Sequence, residues 1–186
     1  METFTEVRDF VDNPHYHEQR QESLRSLDIG TIDAPIVEIV SGFARLPYCF
    51  TLQICYGHFL HTDQRDPRNL EVLPVSNRIR RVQYRIAYIA LGIQNSEVGR
   101  ALFRHLRELP AIDPEYIQFG CADWFWERQV NSYVLQVEPR RHMTKDKAFV
   151  GYQEALYIEK LREEFFNRLG SLVQEALAKG QWSQGQ

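Results

Sequence analysis

The segment from Tyr48 to Tyr56 alternates large apolar and small polar side chains, and this period of two constrains the fold most strongly. Successive side chains of a β-strand point to opposite faces of a sheet, so the segment predicts a half-buried strand. The large side chains at the even positions are expected to face the core. The odd positions carry small polar groups and two thiols, and they are expected to line the opposite face: Cys49, Thr51, Gln53 and Cys55.

Helical and extended patterns alternate along the rest of the chain. Helices are predicted over residues 3–12 and 15–27, from Asp33 to Phe43 with Asp33 as the N-cap, between Ser96 and Pro110, and over residues 151–178. The last of these carries an apolar face made of Ile158, Leu161, Phe165, Leu169, Leu172 and Ala176. Further strands are predicted over residues 82–93, 115–120 and 131–137. Residues 57–79 are expected to form a long loop, and residues 140–147 a basic turn.

The predicted order of elements is ααα-β-β-α-β-β-α. Strand pairs that follow each other directly favour an α+β fold, with a mixed or antiparallel sheet of about four or more strands flanked by helices. Neither common Gly-rich phosphate loop is present, which argues against a doubly wound nucleotide-binding domain. The chain is expected to form one domain over residues 1–186, in which residues 1–30 are an N-terminal helical extension and residues 181–186 a frayed tail.

Charge and cysteine content exclude several classes of protein. The 25 acidic and 22 basic residues give a net charge of −3, which disfavours tRNA or another nucleic acid held mainly through its phosphates. Cys49 and Cys55 would lie roughly 20 Å apart on one strand, too far for a disulfide, so reduced thiols are expected. The first ten residues contain acidic groups and no apolar run, which predicts a cytoplasmic protein without a membrane partner. The oligomeric state stays open.

Cys55-Tyr56-Gly57-His58 is the first candidate site, at the end of the predicted strand. Gly57 allows the main chain to turn tightly or to approach a ligand closely. An unperturbed imidazole has a pKa near neutrality, so His58 is expected to transfer protons, and a thiol beside it, that of Cys55, can act as a nucleophile. We therefore take Cys55 and His58 as catalytic candidates, and Thr51 and Gly57 as ligand-binding candidates.

Two alternatives stay open at this segment. In this main interpretation no residue is a metal ligand, but Cys55-x-x-His58-x-x-His61 has a spacing that can bind zinc, with Cys121 or Asp63 completing the site. A metal-dependent enzyme using Cys55, His58 and His61 is therefore one alternative. The other is a non-enzymatic protein-interaction module whose exposed aromatic side chains dock a partner.

A second candidate region runs from Gln118 to Tyr133 and mixes polar groups with aromatic rings. Aromatic rings can stack on a planar ligand while amides and carboxylates bind its edges. Glu127 is the acid/base candidate of this region. Its ligand-binding candidates are Gln118, Trp124, Trp126, Asn131 and Tyr133.

Two segments resemble the tRNA wybutosine-synthesis methyltransferase family, the third enzyme of that pathway. Gly30–Ile36 resembles the family's Gly-Ser-Ile-Asp-type helix start, and Tyr48–His58 resembles a strand that ends in Ser-Ser-Cys-Ser-Gly-Arg. Thr51, Cys55 and Gly57 match this strand, whereas His58 stands where the family has arginine.

The resemblance, over about residues 20–138, implies an α+β architecture with a pocket beside Cys55. It also implies S-adenosylmethionine as the cofactor of a group-transfer reaction. A small-molecule or nucleotide-like ligand is therefore expected between Cys55–His58 and Gln118–Tyr133.

Overall fold

The computed structural model describes residues 4–142 and 146–182, and within them it shows five α-helices and eight strands. The helices are α1 (Tyr16–Ser26), α2 (Val37–Arg45), α3 (Glu97–Glu108), α4 (Asp123–Arg128) and α5 (Tyr152–Trp182). The strands are β1 (Phe4–Thr5), β2 (Cys49–Cys55), β3 (His58–Leu60), β4 (Arg81–Arg85), β5 (Ala87–Ile93), β6 (Ile117–Ala122), β7 (Ser132–Val137) and β8 (Lys147–Gly151).

The strands form two antiparallel sheets. The larger sheet has the order β1-β6-β7-β5-β2, and the smaller has the order β3-β4-β8. Helices α2, α3 and α5 bury one face of the larger sheet in the main core, while α1 packs on β2 and α4 on β6 and β7. The predicted α+β class is confirmed, and all of the described strand pairs are antiparallel.

The segment predicted as one strand over residues 82–93 is two strands in different sheets. Ile86 separates β4 from β5, and its N–H donates to the carbonyl of Asp146, in register with the pairing of β4 and β8, before the chain enters the larger sheet at Ala87. The chain also crosses between the sheets at Tyr56 and Gly57, which connect β2 to β3. Apolar periodicity does not show where a chain crosses between sheets, because the strands before and after the crossing both carry buried apolar side chains.

A β-bulge between Thr51 and Gln53 changes the face on which the side chains of β2 lie. Before the bulge Cys49 pairs with Ile93 and is buried in the main core; after it, Cys55 pairs with Tyr88 on the opposite face. The predicted strand is confirmed, but its single polar face is wrong, since an extra residue reverses the alternation.

Four other predicted segments need correction. Residues 6–12 are not helical, and the preceding β1 pairs with β6, so the N-terminal extension is only partly helical. The predicted loop 57–79 contains β3.

The basic turn over 140–147 contains a short 3-10 helix at Arg140–His142 and the first residue of β8, while residues 143–145 lie outside the described residues. The predicted tail 181–186 overlaps α5, which extends to Trp182; residues 183–186 lie outside the described part.

The final helix gives the core its longest element. Ala155, Ile158, Phe165, Leu169 and Val173 of α5 are fully buried; Ile158, Phe165 and Leu169 belong to the apolar face expected from the sequence. None of the helices in residues 4–142 and 146–182 combines the length and apolarity that a bilayer span requires.

Helices α2 and α5 approach each other closely at Gly42. A methyl group on Gly42 would overlap the Cγ1 of buried Val173. We expect Gly42→Ala to lower the free energy of unfolding by about 1–2 kcal/mol, because overpacking of about 1–3 kcal/mol outweighs the better helix propensity of alanine. Urea denaturation measures the change.

Gly170→Ala in α5 is the matched control. Its added methyl would lie 3.6 Å from Ile39, an ordinary van der Waals contact. We expect this variant to gain up to about 1 kcal/mol from helix propensity. Equal effects of the two substitutions would contradict a close helix contact at Gly42.

Candidate functional site

The turn between β2 and β3 brings Cys55 and His58 together. Gly57 has a φ of +89°, a conformation that glycine adopts without steric cost. An added Cβ there would lie 2.9 Å from the Cβ of Ala87 and 3.1 Å from the ring of Tyr84. Gly57 therefore allows β2 to pass directly into β3 against the start of β5.

Asp33 completes a three-residue cluster with Cys55 and His58. The Nε2 of His58 lies 3.4 Å from Asp33 Oδ2, which also accepts a hydrogen bond from the N–H of Tyr56 at 2.9 Å. One potential ligand atom from each of the three residues lies within 4.8 Å of the other two. His58 is 4% exposed, whereas Asp33 and Cys55 are half-buried. The cluster is therefore open to solvent on the side of Asp33 and Cys55.

The other nitrogen of His58 orients the imidazole. Nδ1 lies 3.0 Å from the carbonyl of Asn69 and donates to it, because a carbonyl only accepts. The main chain at Asn69 thus lies against the Nδ1 side of His58.

The cluster is also an ion pair. A hydrogen bond to Asp33, which has the largest effect, and a second one to Cys55 raise the pKa of His58 to about 10, although burial opposes this. Burial alone would raise the pKa of Asp33, but hydrogen bonds from His58 and the Tyr56 N–H, together with the charges of His58 and Arg162, lower it. Near neutral pH we therefore expect an imidazolium beside a carboxylate.

Arg162 of α5 contacts the turn between β2 and β3. Its guanidinium donates to the carbonyl of Gly57 at 2.8 Å and lies 4.1 Å from the centre of the Tyr56 ring and 5.1 Å from that of Phe59. The residue is 3% exposed. A buried cation therefore holds the main chain between Cys55 and His58.

A polar cleft of about 430 Å³ opens beside Cys55. Directly paired residues of antiparallel strands share a face, so the register places Cys55, Tyr88, Gln136 and Gln118 in one row across four strands. Except for Gln118, these residues line the cleft. Its other lining residues are Phe4, Gln53, Ile54, Arg85, Ile86, Ala122, Phe125, Val134 and Asp146.

A larger cavity, of about 840 Å³, lies between α2, α3 and α5. Apolar side chains such as Leu46, Leu102 and Leu172 line much of it. No residue of the Asp33–Cys55–His58 cluster borders this cavity, so its size alone does not make it the candidate site.

Part of the predicted site comes together beside the cleft, which Cys55 lines and Gly57 and His58 do not. Cys55, Gly57 and His58 surround the turn, and Gln118 lies in the polar row. The carboxamide of Gln118 is buried, and neither of its polar atoms has a hydrogen-bond partner among the described residues. Thr51 precedes the bulge and pairs with Leu91 of the main core.

The other residues predicted in the second region lie elsewhere. Asn131 is at the opposite end of β7 from Gln136. Its side chain accepts a hydrogen bond from the N–H of Val11 and donates one to the carbonyl of Val11. Tyr133 is buried on the helix-covered face of β7, where it contacts Trp126. Glu127 and Trp124 are exposed on α4, and Arg128 stacks on Trp124.

Asp33, Asn69, Arg162 and Gln136 belong to the site but were not predicted in it. Asp33 was expected to cap a helix, yet its side chain makes no capping hydrogen bond. The one signal for it was its place in the Gly30–Ile36 segment that resembles the methyltransferase family. His61 does not belong to the cluster of possible metal ligands found among the described residues.

No family profile and no curated protein matches this sequence. Among solved structures, that of the PH1069 protein from Pyrococcus horikoshii is similar, with a TM-score of 0.53 and 13% sequence identity. The similarity covers 87% of this chain and 95% of that one. At this identity the comparison shows a shared fold and nothing about activity.

Proposed function

We propose that the protein is a group-transfer enzyme that binds a nucleotide-like ligand in the polar cleft and performs its chemistry beside Asp33, Cys55 and His58. One observation supports this most strongly. The two segments that resemble the methyltransferase family, Gly30–Ile36 and Tyr48–His58, meet in space through Asp33 and His58. Convergence of titratable groups beside a cleft is typical of an active site.

The lining of the cleft suits a planar ligand with polar edges. The exposed carboxamide of Gln53 offers donors and an acceptor, as the edge of a base requires, whereas Gln136 also lines the cleft but already donates from Nε2 to Glu138. Aromatic rings of Tyr88 and Phe125 provide surfaces on which a base can stack. The volume of about 430 Å³ lies in the usual range for small-molecule sites.

Basic side chains continue from the cleft onto the exposed face of the smaller sheet. Arg85 lines the cleft and pairs with Lys147, and Arg81 stacks on Phe149, which is 54% exposed. Although the whole chain has a net charge of −3, basic side chains are therefore concentrated at the cleft and on the adjoining face of the smaller sheet. This concentration favours a ligand that carries phosphate or carboxylate groups.

S-adenosylmethionine is the proposed cofactor, and the residues present fit it. The exposed carboxamide of Gln53, which lines the cleft, can pair with an adenine edge. Arg85 can bind a carboxylate. When bound, the cofactor would supply an activated methyl group. The ionised Asp33 would accept the proton that the substrate loses, and His58 would hold Asp33 in place.

A thermal-shift titration tests the cofactor. We expect 1 mM S-adenosylmethionine or its demethylated product to raise the melting temperature by roughly 5–10 °C, because a ligand present at about 100 times its Kd adds about 2.7 kcal/mol. Gln136→Leu should reduce the shift, whereas His105→Gln, on exposed α3 surface outside the cleft, should not.

Two results would contradict the proposal. Absence of any shift with both compounds at 1 mM would exclude the cofactor. An unchanged shift in Gln136→Leu would place the ligand outside the cleft.

A further inference from the structure

We propose that Asp33, Cys55 and His58 bind a divalent transition-metal ion of the zinc type. This inference goes beyond the proposed function and does not depend on the ligand in the cleft. A carboxylate oxygen, a thiol sulfur and an imidazole nitrogen lie within 4.8 Å of one another. These are the three kinds of atom that bind zinc in proteins.

The separation of the ligand atoms agrees with a coordination shell. Asp33 Oδ2 and His58 Nε2 are 3.4 Å apart. Charge-assisted hydrogen bonds between nitrogen and oxygen are usually shorter, about 2.7–2.9 Å. Bonds of about 2.0–2.2 Å from zinc to oxygen and nitrogen give tetrahedral edges of about 3.3–3.5 Å. The spacing of this ion pair therefore also fits two ligands of one ion, which would displace the Nε2 proton of His58 on binding.

The surroundings orient the ligands as they do in metal sites. The Nδ1–H of His58 donates to the carbonyl of Asn69, which directs Nε2 toward Asp33 and Cys55. Histidine ligands of metals almost always have such a partner on the second nitrogen. The N–H of Tyr56 holds the carboxylate of Asp33 in the same way.

The ligand set also selects the ion. A thiolate and a carboxylate neutralise a divalent cation, and sulfur with imidazole favours zinc over magnesium or calcium. Three protein ligands leave one tetrahedral position for water or substrate, as in catalytic zinc sites. Cys55 lines the polar cleft, so a ligand in the cleft can reach that position. His61, the third ligand of the sequence-based alternative, is replaced by Asp33.

Cobalt substitution of chelator-treated, untagged protein tests the site. We expect one Co²⁺ per chain, with a thiolate-to-metal absorption band and the intense visible bands of tetrahedral cobalt. Zn²⁺ should displace the cobalt and abolish both. Asp33→Asn and His58→Gln should weaken binding by more than the roughly 10–100-fold that changes outside the coordination shell cost.

Cys55→Ser and His61→Gln form the matched pair of variants. Cys55→Ser, at a half-buried position, should lose the thiolate band, whereas His61→Gln should keep the spectrum and stoichiometry. Circular dichroism of each variant identifies any that fail to fold.

Three results would overturn the inference: binding of much less than one Co²⁺ per folded wild-type chain, a spectrum without a thiolate band, or unchanged spectra in folded Cys55→Ser. These measurements contain no S-adenosylmethionine, so their failure and failure of the cofactor titration are distinguishable.

Discussion

Gly57→Ala is expected to lower the free energy of unfolding by about 3 kcal/mol. At a φ of +89° a side chain costs about 1–2 kcal/mol. The new methyl group would also press on Ala87, whose Cβ and N would lie 2.9 and 3.0 Å away, and overpacking adds about 1–3 kcal/mol. Neither neighbour can withdraw easily, since both contacts involve atoms fixed to the main chain of β5. Urea denaturation followed by circular dichroism measures the change.

The loss should extend beyond the turn. Tyr84, which an added methyl at Gly57 would also contact, donates its hydroxyl to the carbonyl of Val137 and accepts from the N–H of Ala87. These bonds join β4 of the smaller sheet to β5 and β7 of the larger one. We therefore expect Gly57→Ala to weaken ion and ligand binding as well as stability.

Gly151→Ala is the control for Gly57→Ala. No atom lies within 4 Å of the position that its Cβ would occupy, and its φ is outside the left-handed region. Its effect should stay within about 0.5 kcal/mol, as for most surface substitutions. A loss below about 1 kcal/mol in Gly57→Ala would contradict the close contact between the turn and β5.

Arg162→Met is expected to destabilise the protein by about 2–3 kcal/mol. The substitution removes a charged hydrogen bond to the buried carbonyl of Gly57, worth about 1.5–3 kcal/mol. It also removes a desolvated cation–π contact with Tyr56, worth up to about 2 kcal/mol. Relief from burying a cation offsets part of this loss. Urea denaturation provides the measurement.

Arg168→Met, on the exposed side of the same helix, is the matched control. It removes an arginine from α5 without touching the turn, so it should change stability by about 0.5 kcal/mol or less. Arg162→Lys should recover little, since an ammonium lacks the planar fork that donates and stacks at once. Equal stability of Arg162→Met and Arg168→Met would show that the buried guanidinium does not support the turn.

The helices and the central strands were predictable because their cause is local. The apolar stripe from Ile158 to Leu172 has helical spacing whatever it packs against, and α5 forms there. The alternation from Tyr48 to Tyr56 likewise marked β2. The alternation of side chains did not show the bulge after Thr51, because a bulge is defined by the register with the partner strand β5 and not by the sequence of β2 alone.

The candidate site was predictable only where a local signal existed. Gly57 and His58 follow a strand directly, so their place at a strand end could be inferred. Asp33 looked like a helix cap, since serine, threonine, asparagine and aspartate are common before helices whatever else they bind. Its contact with His58 joins residues 25 positions apart, and local periodicity carries no information about such pairs.

By itself the sequence determined an α+β chain with a strand that ends at Cys55-Tyr56-Gly57-His58, because side-chain spacing and glycine act over a few residues. Tertiary structure alone decided that β2 and β4 each end where the chain crosses between two sheets. It also decided that Asp33 and Arg162 meet this turn and that Asn131 and Tyr133 do not reach the cleft. Strand register and helix packing set these positions, and both depend on contacts between residues far apart in the chain.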